Sequence, residues 1–246
     1  MIISIIGKPG TGKSTLMVNL ACAFAKRGHK IALMTTDISY QSVQYYFGST
    51  DIENSQSLGL MFQRKDFVKC DKYFIRAQGY GNIYVAGISA GESCLKYEIP
   101  EKEDINIFLD ELNNNFDYVF IENSENIKSK LSFLSLIKSA VILDVIDLSI
   151  QGISYKLSME DMLKSININK RIYRFSSAAK SFESIKSAER VLKLKFDFQI
   201  PYCNISSDCA NSGIPVIYAS AGEGRNRFIG FINKLAEKLE KEALLL

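Results

Sequence analysis

Apolar residues along this chain fall into short runs separated by mixed stretches of helical spacing. "IISII" at 2–6 reads as a buried strand, because every position is apolar or small. "HKIALMTTD", "NIYVAGIS" (82–89), "FDYVFIEN" (116–123), "AVILDVID" (140–147), "KRIYRFS" (170–176) and "FDFQIP" (196–201) read as further strands. Helical spacing covers 13–27, about 101–113, about 150–165, 181–194 and 225–242. Gly28 ends the first of these helices, since glycine accepts the left-handed cap conformation. Strands alternating with helices predict right-handed βαβ units, hence an α/β fold with a mostly parallel sheet and helices on both faces. The stretch 41–81 is the least regular, with short helices and an edge strand at "KYFIRA". No internal repeat, low-complexity tract or proline-rich linker divides the chain, so 1–246 is expected to be one domain.

Composition narrows the class. With 47% hydrophobic and 23% charged residues, the 246-residue chain should be globular and long enough to bury a sizeable core. A net charge of +3 is too small to argue for nucleic acid. The segment 128–195 does carry 13 Lys/Arg against 6 Asp/Glu. That stretch is either a surface for DNA or another anionic partner, or a set of solvated helix faces. Five scattered cysteines without a CxxC pair fit a reducing compartment. Cys22, inside an apolar helical pattern, is expected in the core. The apolar run "MIISIIG" is too short for a signal peptide, and no run reaches the roughly 18 apolar residues that span a bilayer. A cytoplasmic location follows as the expectation.

The chemistry is concentrated between the first strand and the first helix. Gly7, Lys8, Pro9, Gly10, Thr11, Gly12, Lys13 and Ser14, followed by Thr15, satisfy G-x-x-x-x-G-K-[ST]. Glycines let successive backbone N–H groups turn inward around phosphates, and the following helix aims its positive end at them. Lys13 adds a mobile charge, and the Ser14 hydroxyl can complete a Mg²⁺ shell. Pro9 fixes φ and removes one N–H donor from this loop.

"GKPGTGKST" resembles the deviant phosphate loop of the ParA/MinD family, usually KGGxGK[ST]T, and the likeness continues through "VNLACAFAKRGHKIALMTTD". It covers most of the chain, including "DVIDLSIQG" and "IPYCNISSDCANSGIPV". The resemblance implies a three-layer P-loop NTPase fold. Lys8 then falls on the family's signature lysine, which reaches across an ATP-sandwiched homodimer to the partner's phosphates. It also implies ATP and Mg²⁺ as ligands and places Pro201 and Tyr202 near the adenine. An ordinary exposed lysine in a loop that serves its own chain alone is the bland alternative for Lys8.

Two departures touch the hydrolytic parts. Relatives carry D-x-D after the second strand, and here the positions read Thr35-Thr36-Asp37. By resemblance Asp37 orients the attacking water and joins the metal site; on its own it reads as a helix N-cap. The fourth strand of the family ends in D-[TS]-x-x-G, and here it reads "FIENSENI". Glu122, one methylene longer than the aspartate, stands at the metal shell, and Glu125 stands at the glycine. Lys8, Lys13 and Asp37 are therefore the expected catalytic residues, and Ser14, Asp37 and Glu122 the expected metal-site residues.

Other candidates carry less. "ENSENIKSKLSFL" has no cysteine, so the shared iron–sulfur cluster of some relatives is not expected. His29 lacks any metal-ligand spacing and reads as a surface residue. Phe228, Ile232, Leu235 and Leu239 in the last helix recur at core spacing, which points to packing on the sheet rather than to membrane contact, and Arg225 and Arg227 could join a DNA surface. The expected function is an ATP-dependent homodimer acting as a positional or partitioning switch, with weak hydrolysis and a protein partner at the switch surface. The alternatives are a non-hydrolysing, nucleotide-held scaffold for a secretion, pilus or conjugation machine, and an ordinary small-molecule kinase or ligase of the P-loop class.

Overall fold

A computed structural model describes the chain except for residues 41–42, 49–51, 127, 167–169, 178–181 and 246. Eight strands form one sheet: β1 (Ile2–Ile6), β2 (Ile31–Thr35), β3 (Ile75–Arg76), β4 (Ile83–Val85), β5 (Tyr118–Glu122), β6 (Val141–Ile146), β7 (Arg171–Ser176) and β8 (Phe198–Gln199). Their spatial order is β3-β4-β2-β5-β1-β6-β7-β8. All pairs are parallel except β3 with β4. The order places β1 at the centre, so the loop that leaves it opens at the middle of the sheet's C-terminal edge.

The helices are α1 (Lys13–Lys26), α2 (Leu58–Arg64), α3 (Lys102–Asn115), α4 (Lys130–Lys138), α5 (Ile150–Ile166), α6 (Phe182–Leu192), α7 (Ser206–Asn211) and α8 (Arg225–Ala243). The period of two along the strands divides the core between two faces. Ile3 and Ile5 join α1 and α8 on one face, while Ile2 joins α2, α3 and α4 on the other and Ile6 packs with Leu163 of α5. Cys22 is fully buried, and Phe228, Ile232, Leu235 and Leu239 of α8 pack into the core at the spacing read from the sequence.

The predicted strands all occur, with shorter ends. β4 stops at Val85, and β8 holds only Phe198 and Gln199. The edge strand read in "KYFIRA" is β3. The predicted start of α6 at 181 lies outside the described residues. Helix α4 was not predicted. Its inner face carries Ser132 and Ser135, both buried, so the apolar period is broken by hydroxyls.

Two local features correct the sequence reading. Gly28 adopts φ 94° and donates to Ala25 O, while His29 N–H donates to Phe24 O. That turn folds His29 back toward α1, where its side chain stays 31% exposed and gains packing and charge partners that the surface reading did not include. Its ring lies 5.0 Å from Tyr118, and its Nε2 is 2.9 Å from Glu240 of α8. Asp37 caps no helix; its Oδ1 accepts from the N–H and hydroxyl of Ser39, closing a tight turn.

A buried charge cluster holds α5 to the sheet. Lys156 Nζ stands 2.6 Å from Asp144 Oδ2 on β6 and 2.8 Å from Glu160 Oε2 one turn on. Gly152 permits the close approach, since a Cβ there would meet Asp147 O at 2.2 Å.

Candidate functional site

The loop Gly7–Gly12 joins the central strand to α1 and is shaped by its glycines. Gly7 takes φ 147°, and a Cβ on it would strike Val145 O at 2.3 Å. Gly12 takes φ 90° at the helix start, where no side chain caps the first N–H groups. Those donors therefore point into the loop without an intramolecular side-chain partner, the arrangement that suits an oxyanion. Thr11 braces the loop by donating its hydroxyl to Lys8 O at 2.9 Å.

The two lysines take different directions. Lys13 is buried and folds onto the loop, donating to Lys8 O at 3.2 Å, with Glu122 Oε1 at 3.9 Å. Burial pulls its pKa below the ordinary lysine value, against the opposing pull of Glu122 and Glu125. Lys8 points away from the loop. Its Nζ stands 3.5 Å from Asp147 Oδ2, beyond the end of β6. Asp147 is held below the usual carboxylate range: partial burial works the other way and is outweighed by Ser149's hydroxyl and N–H and by Lys8.

Glu122 ends β5 beside β1, in register with Ile5. Burial pushes its carboxyl pKa up, only partly offset by Lys13 and by a hydrogen bond with Ser14. Its Oε2 is buried and has no hydrogen-bond partner. A buried carboxylate oxygen without a partner, next to the Ser14 hydroxyl and within the field of Asp37, is a donor set that fits a hard divalent cation. Ser14, Asp37 and Glu122 are thus brought to one end of the loop. Among the described residues there is no separate cluster of three or more His, Cys, Asp or Glu side chains.

The segment after Glu122 is tied down by hydroxyls. Thr36 Oγ1 lies 2.6 Å from Ser132 Oγ and accepts from Ser124 N–H at 2.9 Å. Asn123 donates to Ser132 O and to Ser135 Oγ. Thr35, at the position of the missing carboxylate, accepts from Asp37 N–H. Glu125 sits exposed on this loop. Among the described residues only Lys65 and Lys193 are non-glycines with positive φ, so the backbone at Glu125 has no need of glycine's freedom.

Sequence reasoning missed Tyr46. It belongs to the 3₁₀ turn Val43–Phe47, and burial pushes its phenol pKa up against the opposing pull of the Ser14 and Thr15 hydroxyls. A tyrosine 31 or 32 residues downstream leaves no local spacing signal. Pro201 and Tyr202 follow β8 on the same edge, three strands from β1, or about 14 Å at ordinary strand spacing. Tyr202 is half exposed there, so both residues are placed to share a ligand with the loop only if it extends along the edge.

With this geometry in hand, comparison with known proteins becomes informative. The profile of the CobQ/CobB/MinD/ParA nucleotide binding domain matches residues 2–246. The chain belongs to this family. Among curated proteins, a septum site-determining protein MinD of Thermotoga maritima is 27% identical over 128 residues, 52% of this chain and 45% of that protein. The chain thus spans about half the length of the curated relatives it matches. Among solved structures, the cell division ATPase MinD of Pyrococcus furiosus superposes with a TM-score of 0.77 at 23% identity, covering 98% of each chain. The septum site-determining protein MinD of Pyrococcus horikoshii, complexed with Mg-ADP, gives 0.77 at 22% identity over 98% of this chain and 96% of that one. These likenesses establish the P-loop NTPase fold of the family.

Proposed function

We propose that the chain is a single nucleotide-binding domain that holds ATP with Mg²⁺ at the loop 7–15 and uses the nucleotide to close a homodimer. The observation that carries this reading is the divergence of the two lysines. Lys13 serves the chain's own loop, whereas Lys8 stands at Asp147, outside it. A second copy can receive Lys8 once that pair opens. Exposed apolar side chains on the same sheet edge support the reading. Tyr40 follows β2, Leu95 follows β4 and Ile150 follows β6, exposed by 65%, 92% and 88%. Large apolar side chains left in water at one edge mark an interaction surface.

Within the site, Lys13 and the helix N-terminus bind phosphate, Ser14 and Glu122 hold the metal, and Asp37 orients water. Magnesium supplies charge neutralisation on the phosphates when bound. Ser39 takes only Oδ1 of Asp37 and leaves Oδ2 for water, and no second carboxylate stands at Thr35. Hydrolysis is accordingly weak, and the dimer acts as a positional or partitioning switch. The hydroxyl-tethered loop after Glu122 provides a surface for a protein partner, and the basic segment 128–195 a surface for DNA. No described helix is long and apolar enough to cross a membrane.

The turn that engages Asp37 also favours a second reading, a nucleotide-held scaffold that does not turn over. Light scattering with and without Mg²⁺-ATP, run beside phosphate release, separates the readings. Wild-type dimerisation that needs ATP, with turnover above that of Lys13→Ala, supports the switch. Turnover equal to Lys13→Ala with dimerisation intact supports the scaffold. A monomer under all conditions overturns both.

A further inference from the structure

A groove leads from the loop after Glu122 toward the start of α3. It consists of two adjoining hollows of 230 and 270 Å³ that share Phe62, Ile99 and Pro100. Phe62 and Pro100 are buried, whereas Ile99 stands 44% exposed and lines both hollows. The walls are fixed before anything binds. Ser124 and Ser129 are bonded to Ser132 of α4, and Ser124 N–H donates to Thr36 Oγ1. Tyr97 donates its hydroxyl to Ile38 O at 3.2 Å and meets the Phe62 ring edge-on. Gln63 ties α2 to Lys96 O at 2.7 Å.

The charge on this groove is one-sided. The inner hollow is lined by Glu125, with Asp37 at its edge, and by no cation. The outer hollow carries Glu98, Glu101 and Asp104 against Lys65 and Lys96, and Glu101 is already paired with Lys130. Asp104 has a local reason, since an acid in the first turn of α3 offsets the helix dipole. Glu98 and Glu125 are exposed and form no salt bridge or side-chain hydrogen bond among the described residues. Carboxylates on both sides of an exposed isoleucine suit a ligand that brings cations and an apolar side chain together. Size excludes other classes. Each hollow is smaller than the roughly 300–1,000 Å³ of a small-molecule pocket, and a bare metal ion would leave Ile99 in water. An extended peptide laid across Ile99 uses both hollows.

We propose that this groove docks a basic segment of a partner protein. An apolar residue of that segment sits on Ile99, with an arginine or lysine on each side, one reaching Glu125 and the other Glu98. The inference rests on the reading that the loop after Glu122 meets a protein partner, and it names that partner's chemistry. Arginine suits both ends, because its planar fork pairs with carboxylates through two hydrogen bonds. The hydroxyl ties hold the groove open, so docking costs little ordering on this side. The exposed charges steer the approach and weaken with salt, while the contact on Ile99 does not. Residues 36–39 and 124–126 border both this groove and the phosphate loop's end of the sheet, so an occupant rests against the two segments that follow β2 and β5.

Selection of a random peptide library against the intact chain, without nucleotide, tests this. Enriched peptides should carry arginine or lysine on both sides of a large apolar residue. The strongest of them, labelled with fluorescein, should bind wild type in anisotropy titrations. It should bind about tenfold more weakly to Glu98→Lys, Glu125→Lys and Ile99→Ser. These positions are exposed, so the fold should persist. Asp161→Lys, the same charge change at an exposed site on α5, should match wild type. Equal weakening in Asp161→Lys would mean diffuse attraction and overturn the inference. Acidic or uncharged peptides whose binding is lost in Ile99→Ser would overturn the basic occupant and leave the partner surface standing. Self-association without nucleotide, lost in Glu98→Lys, would assign the groove to a second copy and overturn the inference as well. If no peptide is enriched, the inference and the partner reading beneath it both fall.

Discussion

Lys8 Nζ faces Asp147 Oδ2 at 3.5 Å, so the loop's extra lysine is engaged by its own chain. Reaching a second subunit requires giving up this contact. The pair is about 30% exposed on each side, so it stabilises the chain by no more than about 1 kcal/mol. Asp147→Asn should therefore lower the ATP concentration needed for dimerisation by up to about fivefold. Lys8→Ala should abolish ATP-dependent dimerisation with the fold intact. Light scattering across an ATP titration reads both, and a dimer unchanged by Lys8→Ala would remove the trans role.

The same pair predicts a pH dependence. Asp147 has its folded pKa depressed, so it contributes stability above its unfolded value and loses it as pH falls through the folded one. Urea midpoints of wild type and Asp147→Asn should differ at pH 7 by an amount within about 1 kcal/mol. They should converge in acid, as the pH falls through the depressed folded pKa of Asp147 and both states become protonated. A gap that persists in acid would mean that Asp147 acts through packing.

Glu122 carries the opposite shift, raised by burial, with one oxygen lacking a partner. Glu122→Gln keeps the shape and removes the charge. The Mg²⁺-dependent part of nucleotide affinity should fall about 10- to 100-fold, while affinity measured in EDTA changes little. In wild type that metal dependence should weaken as pH is lowered through the raised Glu122 pKa, because the metal must displace a proton. Calorimetry with and without Mg²⁺ at several pH values checks both.

Lys156 is almost fully buried between Asp144 and Glu160. Lys156→Met removes the buried partner of Asp144 and Glu160 and should cost about 3–5 kcal/mol in urea unfolding. The double variant Asp144→Leu with Lys156→Met should recover most of that loss. If the single variant is neutral, the cluster does not anchor α5.

Legibility in the sequence followed the range of the interactions. The strands of the parallel sheet are buried on both faces and read as mostly apolar runs, broken in β6 by Asp144 alone, so β1, β2, β5 and β6 were clear. The loop 7–14 was legible because its geometry is local. Helix α4 was not, because Ser132 and Ser135 turn inward to bond Thr36 and Asn123, and buried hydroxyls imitate a solvent face. The partner of His29 was not legible because Glu240 lies 211 residues away. Tyr46 was hidden for the same reason: the approach of a distant turn to the start of α1 has no sequence period.

The sheet ends at both sides in strands of two residues, β3 and β8. A backbone ladder that short gives another chain almost nothing to pair with, and Arg76 on β3 bonds back to Gly81 O. Copies of this protein are therefore shut out of open-ended growth by strand addition. The dimer proposed above, with one copy facing another across the loop edge, would by contrast close on itself and yield a finite particle instead of a fibre.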